Sequence, residues 1–174
     1  MHRLTSVALL RGINVGPSSR IRMAELREVF EECGATDVRT HLQSGNVIFR
    51  GAIEVPALER AIRERFDYSS RVVVLTAAAF ERIAAANPLL DVGHDPSKLV
   101  ITFFVDGPPD VDYPADLGEE RLVVGESALY QWFPDGILKS RLSPKFYKTL
   151  GPDATGRNLR TVDKILELLA EGQA

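Results

Sequence analysis

Three short segments combine glycine with hydrogen-bonding side chains and stand outside any helical or strand period. They are Arg11-Gly12-Ile13-Asn14-Val15-Gly16, Gln43-Ser44-Gly45-Asn46 and Thr155-Gly156-Arg157-Asn158. The first leaves an apolar run through two glycines, so its backbone N–H groups can turn inward on an anion while Arg11 adds a bidentate charge. Neither G-x-x-x-x-G-K-[ST] nor G-x-G-x-x-G is present, and the helical pattern resumes only at Met23, too late for Gly16 to open onto a helix N-terminus. The same residues also suit a plainer use, with the glycines permitting turns and Arg11 pairing a carboxylate.

The second segment places four polar groups on one expected hairpin tip. Turn chemistry explains Ser44 and Gly45, and explains Gln43 and Asn46 less well. Ser44 lies in no G-x-S-x-G elbow, and no histidine has a motif-defined relation to it, so it is not expected to be a nucleophile. In the third segment Asn158 is placed to cap the last helix and Thr155 to brace the turn before it. A helix start carrying Arg157 also attracts an anion.

Other reactive residue types are scattered. Cys33 falls on the apolar stripe of the first expected helix, which predicts a buried, inert thiol. His41 and His94 have no partners at metal spacing, and Asp106, Asp110, Asp112 and Asp116 lack the spacing and closing Glu of an EF-hand, so no metal is expected. Lys139, Arg141, Lys145 and Lys148, interleaved with Phe146 and Tyr147, read as the solvated face of a helix. These residues imply no reaction type, no catalytic residue and no cofactor.

The chain that must position these groups has 174 residues, 45% of them hydrophobic, which is enough for a substantial core and excludes a disordered tail protein. Its 21 Lys+Arg against 24 Asp+Glu leave a net charge of -3, so composition makes no strong demand for nucleic acid or anionic membrane. One cysteine makes no intramolecular disulfide. With no signal h-region or long apolar run, the expectation is a reduced, cytoplasmic protein without a membrane span.

Periodicity supplies the elements. Leu4 to Leu10 is a short apolar run suited to a strand buried on both faces. Met23, Leu26, Val29, Phe30 and Cys33 lie on one helical face, stopped by Gly34. Two short strands, Val38 to Leu42 and Val47 to Phe49, flank the expected hairpin. A second helix follows through Val55, Leu58, Ile62 and Phe66, then a strand over Val72 to Leu75. The order β-α-β-β-α-β predicts a ferredoxin-like antiparallel sheet with helices on one face, whose other face must be covered.

Thr76 caps a third helix that Asn87-Pro88 ends, and the turn-rich stretch from Pro88 to Ser97 predicts a boundary there. The expected fold class is therefore α+β with two subdomains, residues 1–87 and 88–174. The second is a smaller α+β unit built from strands at Leu99 to Val105, Leu122 to Val124 and Ala128 to Phe133, closed by an amphipathic helix over Leu159 to Leu169. The two halves read as distant duplicates.

Leu9-Leu10-Arg11-Gly12-Ile13-Asn14-Val15-Gly16, Met23-Ala24-Glu25-Leu26 and Gln43-Ser44-Gly45-Asn46-Val47-Ile48-Phe49 together resemble a family of uncharacterised, largely bacterial proteins, domain of unknown function 1697. Tyr130 to Gly136 with Lys139-Ser140 resembles a further family segment. Ala154 to Val162 resembles its closing motif, with Leu159 where Trp is usual. The resemblance implies a two-subdomain α+β architecture with a ferredoxin-like first half, and no established activity or cofactor.

The leading functional expectation is a small anionic ligand, a phosphorylated metabolite or nucleotide. It would be held in a cleft between the subdomains by Arg11, Asn14, Gln43, Asn46, Arg157 and Asn158. The alternatives are a nucleic-acid module stacking bases on the sheet, for which the third strand offers one aromatic, Phe49, and an interaction scaffold using an open sheet face.

Overall fold

The computed structural model describes residues 4–12, 21–42 and 44–173. The contacts of the chain divide it into two compact units. One comprises the residues up to Phe80 together with those from Ile165 onward, and the other is Glu81–Lys164. Both dividing points fall inside helices, and the turn-rich stretch at 88–97 lies wholly within the second unit.

In the first unit the order is β1 (Thr5–Leu10), α1 (Met23–Glu32), β2 (Thr36–His41), β3 (Asn46–Arg50), α2 (Val55–Phe66) and β4 (Val72–Thr76), followed by α3 (Ala77–Ala85). The strands form one antiparallel sheet in the order β2-β3-β1-β4, the split β-α-β arrangement expected from periodicity. Helix α1 buries Leu26, Val29 and Phe30, three of the residues that set its apolar stripe. It stops at Gly34, whose φ of +101° favours glycine, with the Ala35 N–H returning to the Phe30 carbonyl. Thr76 caps α3, its Oγ1 accepting the Ala79 N–H at 3.1 Å.

The two faces of this sheet are used differently. Ala8, Leu10, Val47, Phe49 and Val72 point to the helical side and pack with Leu26, Phe30, Leu58 and Ile62. Phe30 and Phe49 meet with ring centroids 5.5 Å apart. Strand alternation puts Val7, Leu9 and Ile48 on the other side, and these too are buried. The last part of the final helix belongs to this unit and is tied to the sheet by two arginines. Arg39 Nη2 donates to the Leu168 carbonyl at 3.0 Å and Arg50 Nη2 to the Gly172 carbonyl at 2.7 Å. Cations placed on the terminal carbonyls of a helix satisfy orphan acceptors and complement its dipole.

The second unit contains β5 (Leu99–Phe103), β6 (Arg121–Val124), β7 (Ala128–Trp132), α4 (Pro144–Thr149) and β8 (Thr155–Asn158), and it includes the first part of α5 (Leu159–Glu171). Its sheet runs β6-β7-β5-β8, again antiparallel throughout. Strand for strand this repeats the first sheet: β5 takes the place of β1, β7 of β3, β6 of β2 and β8 of β4. The halves are thus duplicates in topology. Where α1 stands in the first, the second has the irregular stretch 104–120, and α4 replaces α2. One sheet face packs Val100, Leu129, Phe133 and Phe146 with Leu117, Leu142 and Leu150. Phe146, expected on a solvated helix face, is therefore a core residue, because the apolar side of α4 closes this cluster.

Among the described residues no helix is long and apolar enough to cross a membrane.

Candidate functional site

The first two polar segments meet. Leu9 is paired with Asn46 across the sheet, and the Leu10 N–H donates to the Gly45 carbonyl at 2.9 Å, so the turn leaving β1 lies beside the hairpin joining β2 and β3. Arg11 is exposed. Its backbone is fixed from the other side, with its N–H on the Arg71 carbonyl and its own carbonyl accepting from Ser70 Oγ at 2.8 Å. Gly12 has φ of +70°, and its carbonyl accepts from the Tyr68 hydroxyl. Asn14, Gly16 and Gln43 lie outside the described residues.

Asn46 is not part of the turn. It is the first residue of β3 and fully buried, and its Nδ2 donates to the His41 carbonyl at 2.8 Å and to Ser44 Oγ at 3.1 Å. The amide thus closes the hairpin by reaching back over it. Asn46→Ala would leave buried backbone without that donor, and a loss of about 1–3 kcal/mol in unfolding free energy is expected from urea titration.

Thr155-Gly156-Arg157-Asn158 is likewise not a turn but the edge strand β8, with Arg157 opposite Ile101 and Asn158 opposite Val100. A four-residue strand containing glycine has little intrinsic preference for the extended state, and pairing with β5 supplies it. Asn158 caps α5 as expected, its Oδ1 accepting the Thr161 N–H at 3.0 Å. This engages the oxygen of the side-chain amide and leaves the cap's Nδ2 donors outside the bond. Arg157 donates from Nη1 to the Gly156 carbonyl at 2.9 Å, and burial pulls its guanidinium down to about 10. Arg11 and Asn46 belong to the first unit, Arg157 and Asn158 to the second.

A cavity that no residue type or spacing marks in the sequence is also present. It lies in the first unit, has a volume of about 380 Å³, and is bordered by Thr5, Asp37, Arg39, Arg50 and Gly172. On a strand, Arg39 and Arg50 look like ordinary outward-facing polar residues, and no spacing marks them as neighbours of the chain's last residues.

Among the described residues no cluster of His, Cys, Asp or Glu is fit to hold a metal ion. Cys33 is partly buried, and burial, reinforced by the neighbouring Glu32 charge, pushes its thiol up. A raised thiol holds less thiolate at neutral pH, so 5,5′-dithiobis(2-nitrobenzoate) should label Cys33 more slowly in the native than in the urea-unfolded protein. Phe49 is committed to the core against Phe30 and offers no ring for base stacking.

The model of the family described as "Protein of unknown function (DUF1697)" matches residues 4–130, which include the segments at 9–16, 23–26 and 43–49. No curated protein matches the chain. A solved structure of a conserved bacterial protein, SP0830 from Streptococcus pneumoniae, is similar in fold. The two are 24% identical with a TM-score of 0.74, over 95% of this chain and 98% of that one.

Proposed function

We propose that this chain, which belongs to the DUF1697 family of proteins of unknown function, binds a small anionic ligand, a phosphorylated metabolite or nucleotide, and that Arg157 holds the ligand's charge. The observation carrying this reading is the place of Arg157 on the edge strand β8, directly before the Asn158 cap of α5, where burial also lowers its guanidinium to about 10. It is still protonated at neutral pH, so β8 presents a fixed positive charge already stripped of part of its hydration. Coulomb attraction to an anion strengthens as water is excluded around it. The start of α5, with the Nδ2 donors of Asn158, adds dipole and hydrogen bonds of the same sign. The single cysteine fits a reducing compartment, and we place the protein in the cytoplasm.

The test is a thermal-shift survey of nucleotides and phosphorylated metabolites against the parent and Arg157→Gln. The parent should be stabilised by at least one ligand, and Arg157→Gln should lose that shift while remaining folded. Identical shifts for parent and Arg157→Gln across the survey would dispose of the proposal.

A further inference from the structure

The cavity of the first unit has a specific architecture. The register of β2 against β3 pairs Thr36 with Arg50 and Arg39 with Ile48, so Asp37 and Val38 together oppose the single residue Phe49. This is a β-bulge, and Asp37 within it adopts φ of +50°, a conformation that costs a residue with a Cβ. Bulges re-aim side chains, and here the strand resumes with Arg39 on the same face as Ile48. Thr5 pairs with Arg50 across β1 and β3, which places Thr5, Ile48, Arg50 and Arg39 on one side of the sheet, the side opposite Phe49 and the helices α1 and α2. Thr5, Ile48, Arg39 and Arg50 border the cavity of about 380 Å³ there, with Gly172 just beyond α5, and its border also takes in Asp37, Val38 and Phe49 at the bulge.

Its polar groups are unequally engaged. Arg50 is bonded twice, through Nη2 to the Gly172 carbonyl at 2.7 Å and through Nη1 to Asp37 Oδ2 at 3.5 Å. Arg39 makes one bond, from Nη2 to the Leu168 carbonyl at 3.0 Å, and has no carboxylate partner among the described residues. Two guanidinium groups against one carboxylate leave a single net positive charge on the lining. The hydroxyl of Thr5 adds a donor, and Ile48, on the same face, is the apolar residue beside them, while the side chain of Val38 belongs to the core under α1 and α2. A volume in the range of ligand sites, an apolar wall and one uncompensated fork-shaped donor define the complement of a small organic anion.

We infer that this cavity is a second binding site, separate from that proposed at Arg157, and that it takes a monocarboxylate with a compact apolar body. The carboxylate lies on Arg39 and the body against Ile48. A single net charge, with the Leu168 and Gly172 carbonyl oxygens directed at the same arginines, favours a monoanion over a phosphate dianion. Because Arg39 and Arg50 also secure the end of α5, occupancy of the cavity registers at Gly172.

The test is a ¹H–¹⁵N correlation titration of the full chain at low ionic strength with benzoate, octanoate and inorganic phosphate. Benzoate or octanoate should shift the amides of Asp37, Arg39, Ile48, Arg50 and Gly172 along saturable curves. Arg39→Gln should weaken that response at least tenfold. Thr5→Phe, which occupies the space while keeping both arginines, should abolish it, and Arg157→Gln should leave it unchanged. The inference is overturned if no carboxylate gives saturable shifts at these amides, if Arg39→Gln or Thr5→Phe, still folded, responds as the parent does, or if phosphate binds there more tightly than the carboxylates.

Discussion

Arg157→Gln is expected to weaken binding of the proposed anionic ligand by about 10- to 100-fold, the effect of removing a charge-assisted hydrogen bond, without loss of stability. The second half of that expectation follows from the direction of the guanidinium's shift. A basic group whose pKa is lower in the folded chain than in the unfolded one is penalised by folding wherever it is protonated. For Arg157, with a folded value of about 10, the penalty is in force throughout the physiological range. It fades only as pH rises through and beyond that value. Glutamine carries no charge to desolvate, which offsets the bond to the Gly156 carbonyl that the substitution removes, so the melting temperature of the variant should stay close to that of the parent without ligand. Isothermal titration for affinity and calorimetry for stability read the two quantities separately. A variant that binds as the parent does contradicts the role given to Arg157, and one that melts lower contradicts the account of its burial.

Phe49→Ala should lower the unfolding free energy by about 3–5 kcal/mol, the usual cost of deleting a fully buried phenylalanine. The ring is 1% exposed and stands on the central layer of the first unit, against Phe30 and under α1 and α2. Its neighbours include Leu26, Leu58 and Ile62, held by two helices and the sheet, so the space it leaves is not readily refilled. Phe49→Leu, which keeps most of the volume, should cost less than half as much. Equal losses for the two variants in urea titration would show that the site repacks around either residue.

The same residue shows how far the fold was legible. The alternation through Val47, Ile48 and Phe49 and the stripe through Leu26, Val29 and Phe30 gave the elements, their order and the antiparallel sheet, because those patterns are local and burial enforces them. Which face Phe49 occupied was not written in its own strand. Both faces of β1 and β3 are buried, which removes the hydrophobic-in, polar-out contrast that would have told them apart.

β8 was missed for a different reason. Gly156 and Asn158 carry turn signals, and the pairing that makes them a strand lies more than fifty positions away in β5. Asn46, expected at the hairpin tip but poorly explained by turn chemistry, serves the turn with its side chain from inside the strand.

The candidate sites were legible only in part. Arg157 and Asn158 stood out because a glycine-containing polar segment before a helix can both cap it and draw an anion. Arg39 and Arg50 did not stand out, since their juxtaposition depends on a bulge at Asp37 and on the last turn of α5 returning to the opening sheet. A bulge is a property of two strands in register, and neither strand announces it alone.

The most direct test of the proposed function is to follow the Arg157 Nε–Hε signal by ¹H–¹⁵N correlation while adding the nucleotide or phosphorylated metabolite that most stabilises the protein. The account predicts that this signal moves saturably, with the dissociation constant measured by calorimetry. An Arg157 signal that stays in place while the ligand saturates the protein would contradict it.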